Sequence, residues 1–275
     1  MDSTSVGVPD SERVLAEAVE AYQVALGGRL LSAYALGSLA HGGFSELVSD
    51  IDVGLILSDP SVSADASMIQ VVADVQKGKG SPLHRRLSVF WGTPATLRGE
   101  RKGGRFPALD RLDLIENGRL LAGSDVARAG LPRPGLSELI VTGAEFALDY
   151  LGKGAIEEIR SPELLIAHGV RRLTKLVLFP VRFLYTAATG RIGTNDAAAA
   201  DYLSDGQASS SRLVAAALAW RTSEPTDQVA AAALLREHMV PLYLHYIADH
   251  ITRLGSLGES ELAEAFRDWG ERLVR

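Results

Sequence analysis

Tyr34-Ala35-Leu36-Gly37-Ser38, followed by Asp50-Ile51-Asp52-Val53, is the stretch on which the fold of this 275-residue chain turns. An apolar run of strand length, Leu30 to Leu36, ends in Gly-Ser; a second run with β-branched residues, Ile51 to Leu57, opens with Asp-x-Asp. Gly37 lets the backbone turn tightly and approach a bulky anion. Ser38 adds a hydroxyl donor, and Leu39-Ala40-His41 begins a short helix whose first amides favour a phosphate. Asp50 and Asp52 leave the strand by the same face, while Ile51 and Val53 point into apolar packing. Neighbouring carboxylates repel unless a cation lies between them. Mg²⁺ takes oxygen ligands and divides its shell between one or two carboxylates and substrate phosphates. The residues therefore suit a magnesium ion shared between Asp50, Asp52 and a nucleoside triphosphate.

Working outward, the first half alternates helix and strand. A helix starts at Ser11 as N-cap, repeats Leu15, Ala18, Val19, Tyr22, Ala25 and Leu26 at helical spacing, and stops at Gly27-Gly28. Ser58-Asp59-Pro60 ends the second strand, Ala64 to Gln76 reads as a helix, and Arg86 to Trp91 is a third strand closed by Gly92-Thr93-Pro94. Leu97 to Phe106 is rich in glycine and arginine and reads as a mobile surface loop; Arg98, Arg101, Lys102 and Arg105 would make it either a triphosphate clamp or a solvated loop. Leu112–Ile115 and Arg119–Leu121, around Asn117-Gly118, read as a hairpin or as a turn between a strand and another short element. Leu131-Pro132-Arg133-Pro134-Gly135 resists helix and sheet alike and marks a boundary. Beyond it, helices are expected over Leu136–Leu151, Pro162–Thr189 with a kink near Pro180, Asp196–Leu203, Ser210–Trp220, Asp227–Leu254 interrupted or bent at Pro241, and Glu259–Val274. The expected architecture is α+β: residues 1–132 form a mixed β-sheet flanked by helices, and residues 133–275 form an all-helical domain.

The apolar residue, Gly-Ser, a spacer of about a dozen residues and Asp-x-Asp together resemble the signature of the polymerase-β-type nucleotidyltransferase superfamily. A second segment, Arg182-Phe183-Leu184-Tyr185-Thr186-Ala187-Ala188-Thr189-Gly190-Arg191-Ile192, then Asp196 and an alanine-rich helix ending in Asp201-Tyr202, resembles bacterial aminoglycoside adenylyltransferases of the streptomycin/spectinomycin type. The resemblance implies adenylyl transfer from ATP, with magnesium, to a hydroxyl of a small molecule held between a nucleotidyltransferase domain and a helical one. It implies catalytic and metal roles for Asp50 and Asp52, triphosphate contacts at Gly37 and Ser38, and phosphate or cleft contacts at Lys175, Arg182 and Arg191. For each residue of that second segment, a helix–turn–helix packing role is the competing reading. The pattern departs from the family at one place: a third carboxylate, the general base or a further metal ligand, is expected where Ser88 stands. Serine is no base at neutral pH. Asp110 and Asp113 are the first alternatives and Glu145 and Asp149 the second, each against the plainer reading of an exposed charge. A nucleotide- or ligand-binding relative with impaired turnover, and transfer to a protein or tRNA, are the rival functions.

Composition narrows the field. Hydrophobic residues make up 47% and charged residues 23%, an ordinary globular balance. A net charge of −6 speaks against broad nucleic-acid binding. Cysteine is absent, which excludes disulfides and thiolate chemistry and fits a cytoplasmic protein. Met1 to Asp10 does not read as a secretory signal, and Leu173–Leu184, broken by Lys175, Pro180 and Arg182, does not read as a membrane span. Lys77-Gly78-Lys79-Gly80-Ser81 lacks the order of a phosphate loop and reads as a turn. His41 is read as a surface residue, and His245 with Asp249 as a solvated helix pair. Glu145, Asp149, Glu157 and Glu158 would either line a pocket for a polycation or form a solvated face.

Overall fold

A computed structural model of the chain describes residues 9–58, 63–78, 80–205 and 209–275. The readings placed on Met1–Val8, on the Asp59-Pro60 turn and on Lys79 lie outside these. Contacts divide the chain into two compact units, Met1–Arg133 and Pro134–Arg275, so the division falls within the proline-rich boundary.

The first unit runs α1 (Asp10–Leu26), β1 (Leu30–Leu36), α2 (Gly37–His41), β2 (Ile51–Leu57), α3 (Ser63–Gln76), β3 (Leu87–Gly92), α4 (Pro94–Leu97), α5 (Ala108–Asn117), β4 (Arg119–Gly123) and α6 (Val126–Ala129). The sheet order is β3-β2-β1-β4; β1 pairs antiparallel with β2 and β4, and β2 pairs parallel with β3. This is the mixed sheet expected. Alternation along the strands sorts two faces. Ala33, Ala35, Ile51, Val53, Leu55, Val89 and Trp91 pack under α1 and α3 with Leu15, Tyr22 and Met68. Tyr34, Leu36, Ile56 and Phe90 pack with Leu97 and Leu114 on the other side. The central strands are apolar on both faces because helices cover both.

Three local expectations change. Helix α1 begins at Asp10, and Ser11 is buried in its first turn instead of capping it. Asp10 accepts a hydrogen bond from the Ser81 hydroxyl at 2.5 Å, which ties that first turn to the segment before β3. Of the two readings left open at Asn117-Gly118, the hairpin is not formed and the turn between a strand and another short element is: Arg119–Gly123 is β4, and Leu112–Ile115 is helical, part of α5. Its apolar residues serve a helix that lies on the sheet, and β4 finds its partner in β1 instead of in a hairpin. The glycine-rich loop is tied down at its far end: Trp91 and Arg105 exchange backbone hydrogen bonds of 3.0 and 2.7 Å, and Phe106 meets the Phe90 ring with centroids 5.9 Å apart.

The second unit is helical throughout its described residues: α7 (Leu136–Ala147) widening into a π-helical turn (Leu148–Lys153), α8 (Ile156–Arg160), α9 (Pro162–Ala167), α10 (Val170–Thr189), α11 (Asn195–Ser204), α12 (Ser211–Ala219), α13 (Gln228–Leu257) and α14 (Ser260–Val274). The helix expected over Pro162–Thr189 is two, parted at His168-Gly169, where Gly169 takes φ 88°. Helix α10 continues through Pro180 and α13 through Pro241, so of the interruption or bend expected at Pro241 the interruption does not occur. Packing on neighbouring helices offsets the hydrogen bond each proline forfeits. The core holds Tyr243, Tyr246, Phe266 and Trp269, and the Tyr243 hydroxyl donates to the Leu176 carbonyl at 2.8 Å. No described helix is long and apolar enough to cross a membrane.

Candidate functional site

Strand register brings the first motif together. In the β1–β2 ladder Leu36, the residue before the bend, lies opposite Asp52. Gly37 has φ +59°, a left-handed conformation that side chains other than glycine's rarely adopt. A Cβ at Gly37 would overlap the Asp52 carboxylate, so the glycine is what allows that acid to lie against the bend. Asp50, immediately before β2, has the same parity as Asp52 and shares its side of the strand; both are half-buried. Ser38, also half-buried, follows in α2, which is only five residues long. The connector is ordered by its own serines: Ser45 accepts from the Leu47 amide at 3.2 Å through its hydroxyl, and its own amide donates to the Ser49 hydroxyl at 3.0 Å. Gly37, Ser38, Asp50 and Asp52 thus meet at one end of the β1–β2 pair.

On the other side of β2 the parallel register pairs Asp52 with Ser88. The residue beside Asp52 on the next strand is therefore serine, as the sequence match places it, and no slip of alignment puts an acid there. Of the alternatives, Asp113 on α5 is hydrogen-bonded to the bend: its Oδ2 accepts the Gly37 amide at 2.6 Å, and its Oδ1 accepts from the Asn117 side-chain amide at 2.8 Å. Asp113 is buried at 5% exposure. It is not the exposed charge of the plainer reading. The Gly37 N–H already has this partner, so what Gly37 lends a bound anion is space. Asp110 lies half-buried in the first turn of α5.

The remaining expected residues lie in the second unit. Arg182 Nε donates to the Gly193 carbonyl at 2.6 Å, and its guanidinium lies 5.9 Å from the Phe179 ring centroid. That contact secures the turn between α10 and α11, the packing role weighed against ligand binding. Thr194 caps α11, accepting the Ala197 amide at 3.1 Å. Lys175 is half-buried on α10, and Arg191 is exposed just after it. Of the acids, Glu158 is buried and committed: Arg172 donates to it through Nε at 2.9 and 3.1 Å and again through Nη2, and His168 Nδ1 stands 2.6 Å away. The Arg172 hydrogen bonds, with His168 adding, hold its carboxyl below the usual glutamate value against the opposing effect of burial. Asp149 pairs with Lys153 at 3.2 Å, while Glu145 and Glu157 remain exposed. Asp249 pairs with Arg253 at 2.8 Å and His250 at 3.2 Å, and not with the exposed His245. In the basic loop Arg98 is neutralised by Glu100 at 2.6 Å and Arg105 donates to the Val89 carbonyl at 3.0 Å; Arg101 and Lys102 are exposed.

Sequence reading named Asp113 but missed Asn117. An Asp–Asn pair four apart is a helical signal, and it went unseen because Asn117-Gly118 reads more strongly as a turn.

No protein-family model matches the chain, and no curated protein matches it. Among solved structures, the spectinomycin adenyltransferase AAD(9) from Enterococcus faecialis, solved with ATP and spectinomycin, is similar with a TM-score of 0.59. That likeness covers 96% of this chain and 99% of that one, at 13% identity. At that identity the likeness speaks to the fold alone, and it extends over nearly all of both chains.

Proposed function

We propose that the chain transfers AMP from ATP to a hydroxyl of a small molecule, with an aminoglycoside-like compound as acceptor and resistance to it as the consequence. The observation that carries this reading is the register that sets Asp52 against the Gly37–Ser38 bend, with Asp50 on the same side of the strand. An all-oxygen pair of half-buried carboxylates next to a bend with room for an anion fits Mg²⁺ shared with phosphates better than any softer metal. Asp50 and Asp52 would hold the ion, whose chemistry is to neutralise charge on the phosphoryl oxygens. Ser38 would donate to the triphosphate, and Gly37 would leave room for it. Lys175, Arg182 and Arg191 are the further phosphate contacts that the resemblance implies, and Arg182 has already given its Nε to Gly193. The acceptor hydroxyl oxygen would bond to the α-phosphorus, the bond from that phosphorus to the oxygen bridging it to the β-phosphate would break with its electron pair leaving on pyrophosphate, and the hydroxyl proton would pass to solvent water. A structure of the same fold is an adenyltransferase with ATP and spectinomycin bound, which supports the co-substrate and the acceptor class. A cytoplasmic setting, where ATP is held, goes with this reading. The test is calorimetric titration with ATP: binding should require Mg²⁺ and be lost in Asp50→Ala, and unchanged affinity in that variant sinks the site.

Ser88 beside Asp52 favours one second reading, a nucleotide-binding relative with impaired turnover. A positioned general base contributes roughly 10²–10⁴-fold. Pyrophosphate release across a panel of hydroxylated acceptors separates the two: measurable release in the wild type supports transfer. ATP binding without release, with release gained in Ser88→Glu, supports impairment.

A further inference from the structure

The bend that receives the triphosphate in the proposed reaction is not held by its own strand alone. Gly37 stands in a left-handed conformation with an acid on either side: Asp52 lies where a Cβ would be, and Asp113 accepts its amide. Asp113 arrives from α5, 76 residues along the chain, and is buried at 5% exposure. Both of its oxygens are engaged, Oδ2 with Gly37 and Oδ1 with Asn117, and the helix that carries it packs on the sheet through buried Leu114, against Tyr34, Leu36 and Ile56.

We infer that Asp113 is a positioning residue for the phosphate site: by holding the Gly37 amide it fixes the left-handed bend, and with it the placement of Ser38 relative to Asp52. It acts through Gly37 and does not touch the reacting atoms; Asn117 in turn orients Asp113. The inference rests on the reading of this bend as a triphosphate site. The family position lies beside Asp52 on β3, whereas Asp113 faces the amide side of the bend from α5.

The test is magnesium-dependent ATP affinity in full-length Asp113→Ala, Asp113→Asn and Asn117→Ala, with hydrogen exchange at the Gly37 amide and thermal midpoints alongside. Asparagine keeps an oxygen for the Gly37 amide while removing the charge, and Asn117 can turn its own oxygen to meet the new side-chain amide. The expected result is a loss of about tenfold or more in Asp113→Ala, with recovery to within about threefold in Asp113→Asn. Gly37 exchange should be fast in the first variant and protected in the second. Asn117→Ala should fall between them, and it supplies the answer where Asp113→Ala does not fold: faster Gly37 exchange with weaker affinity supports the assignment, and wild-type values for both overturn it. Wild-type affinity in a folded Asp113→Ala overturns the assignment alone. So does a loss in Asp113→Asn as large as in Asp113→Ala, because charge and not the held amide would then be what matters. Failure of the wild type to bind ATP with magnesium overturns the phosphate-site reading itself, and this assignment with it.

Discussion

At the scale of single residues, Gly37 shows how far a motif can be read without coordinates. Its type and its place before Ser38 suffice to predict a tight turn, since glycine is the residue that occupies left-handed backbone at no steric cost. The carboxylate it admits could not be read, because the contact with Asp52 depends on the pairing of two strands. Gly37→Ala therefore meets two penalties, the φ of +59° and overlap with Asp52. The expected destabilisation is about 2 kcal/mol or more, measured as a shift of the urea unfolding midpoint. Affinity for ATP with magnesium should fall in the same variant, since the overlap displaces one of the two proposed ligands.

At the scale of elements, the second unit offers two measurements. Thr194 caps α11, and Thr194→Ala should cost about 1 kcal/mol, read from thermal or urea unfolding. Glu158 joins the middle of α8 to the first turn of α10 through Arg172. Glu158→Gln leaves Arg172 without its charge partner, and since Arg172 retains some solvent access the expected cost is about 2 kcal/mol at neutral pH. The sign with pH follows from the lowered carboxyl value. The unfolded chain takes up the proton first, so the stability Glu158 adds is full above the ordinary value of 4.5 and is lost as pH falls through its folded value. Unfolding midpoints of wild type and Glu158→Gln should differ at pH 7 and converge in acid below pH 4.5. Element types were legible wherever one period dominated, as in β1, β2 and α1. They stay open at α5, whose apolar residues Leu112, Leu114 and Ile115 are close enough together to mimic a strand.

At the scale of the whole molecule, a ligand that binds only the folded chain raises its stability by mass action. Mg²⁺ and ATP at about 100 times the dissociation constant should add about 2.7 kcal/mol to unfolding, and either one alone should add little. Thermal scans with each component omitted in turn check this, and the shift should vanish in Asp50→Ala. With two compact units in one chain, calorimetry will show whether both units or only the first feel the ligand.

Sequence alone determined the alternation of strand and helix in the first unit, the helical character of the second, the proline-rich place where they divide, and the Gly-Ser and Asp-x-Asp residues that meet at one strand end. Those features are local, set by periodicity, backbone propensity and the few residues a tight bend accepts. Tertiary structure decided which side chains are already occupied. Asp113 is given to the Gly37 amide, Glu158 to Arg172 and Arg182 to the Gly193 carbonyl, and Ser88 is confirmed beside Asp52. Each is a pairing between positions brought together only by sheet register or helix packing, and a carboxylate or guanidinium carries no local mark of the partner it will find.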